Sequence, residues 1–130
     1  MKYFQNKPKL GHITTFGGNP VIAAASLATL RVLRDSNLIS QIEKKEALFR
    51  KELKHHQIKE IRGKGLRLCV EIDPNYVSVK ELSKMCLEAG ILCKETHETT
   101  FRYAPPLVIS KEELDWGIEK IKAVFSKITS

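Results

Sequence analysis

Apolar and polar positions follow two periods along this chain, and each period predicts its own elements. From Val21 to Arg34 apolar residues fall almost all round a helical wheel. That predicts a helix with a thin polar face, of the kind normally buried between other elements. Asn19-Pro20 just before it is a start signal twice over. The asparagine caps orphan amides, and proline suits the first helical position, where no donor is needed. Asp35 or Ser36 opens a second helix to about His55, with Leu38, Ile42, Phe49 and Leu53 as its apolar stripe. The period then falls to two. Ile58 to Arg62 reads as a short strand and Gly63-Lys64-Gly65 as a turn. Leu66, Leu68, Val70 and Ile72 then alternate with Arg67, Cys69, Glu71 and Asp73, as in a half-buried strand.

Asp73-Pro74-Asn75 breaks that strand, and Ser78-Val79-Lys80-Glu81 has the spacing of a capping box. Leu82, Met85, Cys86 and Ala89 follow at helical spacing until Gly90 stops the helix. Ile91 to Lys94 and Thr99 to Ala104 are strand candidates, the second ended by Pro105-Pro106. Ser110-Lys111-Glu112-Glu113 is a second box, followed by the stripe Leu114, Ile118, Ile121 and Phe125. The order helix, helix, strand, strand, helix, strand, strand, helix predicts an α+β layer: a small, mostly antiparallel sheet covered by helices on one face.

Composition narrows the classes. The 130 residues suit one ordinary domain, and 42% hydrophobic with 28% charged residues suits a soluble globular fold and argues against disorder. No apolar run is long enough to span a bilayer, and no apolar signal core follows Met1. Cys69, Cys86 and Cys93 lack metal-ligand spacing, so no metal is expected. They are expected to be core thiols in a reducing, cytoplasmic setting. The net charge of +7 concentrates in Arg50, Lys51, Lys54, Lys59, Arg62, Lys64 and Arg67. Aromatic residues do not interleave with these cations, so stacking platforms for bases are missing and nucleic acid is not the expected partner. A stand-alone binding module using this stretch is the rival reading.

Thr14-Thr15-Phe16-Gly17-Gly18-Asn19-Pro20 is the most informative segment for chemistry. Two hydroxyls precede two small residues and a capped helix start, which is a way to receive a phosphate, although Gly-Gly before a helix is also an ordinary turn. Arg102 lies in a strand just before Pro105-Pro106, where its planar fork could grip a carboxylate. Lys94 and His97, on the segment before it, read as surface residues, as do His12, His55 and His56. Arg62-Gly63-Lys64-Gly65 lacks the longer pattern of a P-loop and reads as a tight turn.

Three segments in register resemble class III aminotransferases of the ornithine/acetylornithine kind. They are Thr14 to Pro20 with the Ala-rich helix behind it, Ile61-Arg62-Gly63-Lys64-Gly65-Leu66, and Thr96-His97 through Phe101-Arg102-Tyr103-Ala104-Pro105-Pro106 to Glu112-Glu113. The resemblance covers nearly everything from Gly11 onward. It implies a fold-type-I, homodimeric enzyme using pyridoxal 5′-phosphate to move an amino group from an ω-amino donor to 2-oxoglutarate. It implies that Thr15, with Thr14 beside it, reaches the cofactor phosphate of the other subunit, and that Arg102 binds the substrate α-carboxylate. It divides the chain into an irregular segment with the phosphate loop (1–18), an interdomain helix (19–36) and a C-terminal small domain (37–130).

The family's Schiff-base lysine lies upstream of the Thr-Phe-Gly-Gly segment, and Lys2, Lys7 and Lys9 lack its glycine-rich surroundings. The chain is therefore expected to be one part of a longer or split enzyme and to be inactive alone. The loop His97-Glu98-Thr99-Thr100 departs from the usual glycine-containing form, which leaves substrate identity open, and an aminomutase or decarboxylase relative would share these features.

Overall fold

A computed structural model describes residues 14–128; Lys2, Lys7, Lys9 and His12 lie outside the described residues. The chain divides into two compact units, Met1–Asn37 and Leu38–Ser130.

In the first unit, helix α1 spans Pro20–Asp35. Asn19 Oδ1 accepts from Val21 N at 3.0 Å and Ile22 N at 3.3 Å, with proline in the first turn, as its sequence signals require. The helix ends where the Ser36 amide and hydroxyl both turn back to the Val32 carbonyl. None of its residues is buried, so the apolar Val21, Leu27, Leu30 and Val32 stand exposed.

The second unit holds α2 (Leu38–Glu52), β1 (Ile58–Lys64), β2 (Arg67–Ile72), α3 (Val79–Glu88), β3 (Lys94–Glu95), β4 (Thr100–Tyr103) and α4 (Lys111–Phe125). The strands form one antiparallel sheet in the order β1-β2-β4-β3, and the α+β class expected from the pattern is what is found. Leu68, Val70 and Ile72 of β2 and Phe101 and Tyr103 of β4 point to one side. There they join Phe49 and Leu53, Leu82 and Cys86, and Leu114, Ile118, Ile121, Val124 and Phe125 in one core. Phe101 lies edge-on to Tyr103 with ring centroids 4.9 Å apart, an arrangement favoured by the ring quadrupoles.

Local chemistry shifts several predicted boundaries. Helix α2 stops at Glu52 rather than His55, because the Lys54 amide bonds to Glu52 O instead of continuing the ladder. The turn after β1 sits one step later than expected. Lys64 pairs with Arg67 across Gly65-Leu66, with Gly65 at φ 62°, which suits glycine as the first residue of a two-residue hairpin loop. Of the two boxes, only that of Ser110 and Glu113 is reciprocal; Ser78 accepts from Glu81 N without a return bond recorded for Glu81. Strand β3 starts at Lys94 rather than Ile91. The Ile91 amide is spent on Cys86 O at 2.8 Å and the Gly90 amide on Leu87 O at 3.0 Å, with Gly90 at φ 88°. This is a Schellman end to α3, and it takes Ile91 out of the sheet.

Gly63 explains why the hairpin accepts no larger residue. Its φ is 123°, and a β-carbon there would come within 2.2 Å of the Arg67 carbonyl oxygen. Gly63→Ala is expected to destabilise the second unit by about 1–3 kcal/mol from backbone strain alone, with the clash added. A urea unfolding midpoint equal to that of the parent chain would contradict this.

Candidate functional site

The outward face of the sheet is built by register. In antiparallel pairs, directly opposed residues share a face. Arg62 opposes Cys69, Cys69 opposes Arg102, and Arg102 opposes Lys94, so four strands present Arg62, Cys69, Arg102 and Lys94 as one row. The neighbouring row is Glu60, Glu71 and Thr100.

The cations of the first row have different fates. Arg62 lies among two carboxylates and a hydroxyl: Glu71, Glu60 at 3.2 Å and Thr100 Oγ1 at 3.2 Å. Its guanidinium is occupied within the fold. Arg102 sits half-buried between the buried Phe101 and Tyr103, and no hydrogen bond or ion pair ties its guanidinium to another described residue. Lys94 beside it is exposed and likewise uncountered among the described residues. Like charges directly opposed on a sheet repel, and an anion between them would remove the repulsion. Arg102 is thus held by its strand, with its charged fork available to a ligand.

Helix α2 braces one end of this face, a role that the sequence did not signal. Arg50 donates to the carbonyls of Ile61 and Gly63, the latter at 2.9 Å, and pairs with Glu46 at 2.9 Å. The second Glu46 oxygen accepts the Gly65 amide. The Arg50 guanidinium and that amide hold the Glu46 carboxyl below its usual range. Lys45, one residue away, donates to Ile109 O at 2.6 Å and Leu107 O at 3.3 Å, tethering the loop that follows Arg102. An apolar cleft of about 290 Å³, lined by Phe49, Tyr103, Pro105, Ile109, Trp116 and Ile121 among others, does not include Arg102.

Thr14 and Thr15 lie in the first unit, in two overlapping turns: Gly17 N bonds to Thr14 O at 3.3 Å, and Asn19 N to Phe16 O at 3.1 Å. Both threonines are exposed. A β-carbon on Gly17 would come within 2.7 Å of Thr14 Oγ1, so the glycine preserves the space around that hydroxyl, as a cradle for a phosphate would need. His97 is exposed, as expected. His55 is not a plain surface residue: it is half-buried, 4.3 Å from the His56 ring and 5.4 Å from Phe125, and burial lowers its pKa. Of the three expected core thiols, Cys86 is buried but Cys69 and Cys93 are only half-buried.

The profile of the class-III aminotransferases matches residues 2–125. The chain belongs to that family. It is 46% identical over 118 residues to an ornithine aminotransferase of Staphylococcus epidermidis, covering 88% of this chain and 29% of that protein. With the Bacillus subtilis ornithine aminotransferase it shares 47% identity over 116 residues, covering 87% and 28%. Among solved structures, the ornithine aminotransferase of Toxoplasma gondii, described with PLP partly occupying its active site, superposes with a TM-score of 0.81 at 38% identity, covering 91% of this chain and 29% of that one. The acetylornithine aminotransferase of Elizabethkingia anophelis gives 0.78 at 35%, covering 89% and 32%. The chain therefore spans less than a third of the length of these relatives. No helix among the described residues is long and apolar enough to cross a membrane.

An arginine kept for a ligand should cost the fold little when lost. Arg102→Gln, which keeps most of the aliphatic stem, is expected to leave the unfolding free energy of this chain within about 0.5 kcal/mol. Arg62→Gln removes contacts to Glu60, Glu71 and Thr100 and should lower Tm measurably. A thermal melt in which Arg102→Gln is the more damaging change would show that Arg102 is structural.

Proposed function

We propose that this chain is the C-terminal part of a pyridoxal-phosphate-dependent class-III aminotransferase that moves an amino group from an ornithine-like ω-amino donor to a 2-oxo acid such as 2-oxoglutarate. The observation that carries the reading is Arg102: a family-matched guanidinium, oriented by a buried strand and left without a counter-charge by the fold. Similarity to ornithine aminotransferases over most of the chain supports the donor class.

In this reading Arg102 receives the α-carboxylate through two parallel hydrogen bonds, which fixes the amino acid's orientation as well as its charge. Phe101 and Tyr103, locked in the core, prevent the strand from rotating the fork away. Lys45 holds the following loop in place. The Thr15 hydroxyl, with Thr14 beside it, would donate to a cofactor phosphate held mainly by the other subunit of a homodimer, and Gly17 keeps the approach open. The cofactor, when bound, supplies the electron sink for the chemistry. The lysine that would hold its aldehyde matches no segment of this sequence, so the 130 residues by themselves are expected to fix no stoichiometric cofactor on borohydride treatment and to show no turnover.

The nucleic-acid reading loses ground, because Arg50 and Arg62 are consumed within the fold and Lys59 faces Asp73 at 3.7 Å.

The test is kinetic, in a full-length enzyme carrying this domain. Arg102→Ala should cost about 2–5 kcal/mol in kcat/KM for the amino donor. Arg102→Lys should recover little of it, because an ammonium lacks the planar fork. Near-normal kcat/KM for Arg102→Ala would refute the assignment. Thr15→Val should weaken cofactor affinity by roughly tenfold or more, as expected for one charge-assisted hydrogen bond; an unchanged cofactor dissociation constant would make the turn merely structural.

A further inference from the structure

The outward face of the sheet is electrically lopsided. Its strand carboxylates, Glu60 and Glu71, stand on β1 and β2, and both are taken by Arg62. Toward the β3 edge the face carries cations alone. Arg67 lies two residues before Cys69 on β2 and so shares its face. Arg67, Arg102 and Lys94 are joined by no hydrogen bond or ion pair to another described residue. The register grades their closeness. Lys94 directly opposes Arg102, which puts the two β-carbons about 5 Å apart, whereas Arg67 is diagonal to Arg102, at about 7–8 Å. Glu95, the other residue of β3, opposes Phe101 and so lies on the opposite face, where it lines a cleft with Lys80 and Lys84.

Lys94 owes its place to both ends of a two-residue strand. On one side the Ile91 amide, tied to Cys86 O, turns the chain off α3. On the other, the Thr96 amide and hydroxyl both donate to Thr100 O, at 3.0 and 3.3 Å, so the pairing with β4 continues past Glu95. A lysine on an edge strand discourages strand addition. That task does not require it to stand opposite an arginine, where the like charges repel. The fold thus holds an unfavourable pair of positive charges, and one carboxylate on Arg102 neutralises only half of it.

We propose that Lys94 is a specificity-determining residue of the Arg102 site, tipping it toward dicarboxylates over monocarboxylates of the same length. The proposal rests on the reading of Arg102 as the carboxylate anchor. Arg102 supplies geometry through its planar fork. Lys94 supplies charge without fixed geometry, because an ammonium on a flexible four-carbon stem can follow the second carboxylate. Being exposed, Lys94 should contribute what a solvated ion pair does, roughly two- to fivefold in affinity, and salt should screen it. In an aminotransferase the effect would fall on a dicarboxylic 2-oxo acid and the amino acid made from it, and not on a monocarboxylic amino donor.

The experiment titrates glutarate, a dianion, and valerate, a monoanion of the same length, into the isotope-labelled 130-residue chain at neutral pH and constant low ionic strength. NMR follows the amide shifts of β3 and β4. Both should bind through Arg102, glutarate the tighter by roughly two- to fivefold, and added NaCl should narrow the difference. Arg102→Gln should abolish both. Lys94→Gln should bring glutarate to the level of valerate. Arg67→Gln and Lys80→Gln remove the same charge diagonally and on the other face, and should leave most of the preference. Lys94→Gln should not lower Tm, since it relieves a repulsion, and a melt checks that each variant is folded. Arg102-dependent binding without a preference for glutarate would overturn the proposal while leaving Arg102 as the anchor. So would a preference that survives Lys94→Gln, or one lost equally in Arg67→Gln or Lys80→Gln. The absence of any glutarate shift that depends on Arg102 would overturn the anchor reading as well.

Discussion

The alternation along β4 is the constraint on which the second unit depends. Four residues must satisfy two sides at once. Phe101 and Tyr103 fill the core between α2, α3 and α4, and their burial fixes the phase of the strand. A one-residue slip would exchange every side chain between faces. It would move two large aromatic rings into solvent and drive a guanidinium into an apolar interior, so the register of β4 against β2 is determined far more strongly by the rings than by Arg102. The position of the arginine is a consequence: its direction is set by the two rings buried on the other side of the strand. The same phase places the Tyr103 hydroxyl 3.4 Å from the Cys86 sulfur on the inner side, so one strand serves the core and the outward row together.

Helix α2 converts that strand geometry into a stiff platform. Sheets of four short strands twist and fray at their turns, and here the β1–β2 hairpin and the loop after β4 are held by side chains of one helix. Arg50 and Glu46 close on the β1–β2 hairpin, and Lys45 on the loop after β4. These bonds join charged groups to backbone carbonyls and an amide, which are stronger than neutral pairs and cannot drift by rotamer changes at the receiving end. Arg50 and the Gly65 amide both lower the pKa of the Glu46 carboxyl, against the opposing effect of burial. The hairpin in turn needs glycine at position 63 to fit under Arg67.

Much of this was legible in the sequence wherever a single physical rule decided the outcome. Asn19-Pro20, the box at Ser110 and the alternation from Leu66 to Ile72 each report one local preference, and the elements they predict are present. Failures came where two local rules competed. At Gly90 the helix-stopping signal was read correctly, but its consequence was not: satisfying the last carbonyls of α3 consumes the Ile91 amide, so the strand begins three residues later. Side-chain partnerships across the fold were not legible at all. Nothing in the run of cations from Arg50 to Arg67 shows that Arg50 and Arg62 are consumed internally while Lys51 and Arg67 remain on the surface. Arg102 could be singled out by its family resemblance, but that it lacks a counter-charge is visible only when the row Arg62, Cys69, Arg102, Lys94 is assembled by register.

Burial is distributed unequally between the two units. The second unit closes its core with its own residues: the inner face of its sheet packs against residues of α2, α3 and α4. It leaves a pair of opposed cations, Arg102 and Lys94, on the outer face. The first unit leaves something different. Helix α1 has sound caps at both ends but buries nothing along its length, although its sequence is apolar almost all round. Local signals can start and stop such a helix, but they do not repay the exposure of its valines and leucines, because most helical stability in proteins comes from a packed apolar face. One unit thus needs an anion and the other needs apolar cover. Under the proposed function, a cofactor domain would supply the apolar cover and a substrate carboxylate the anion.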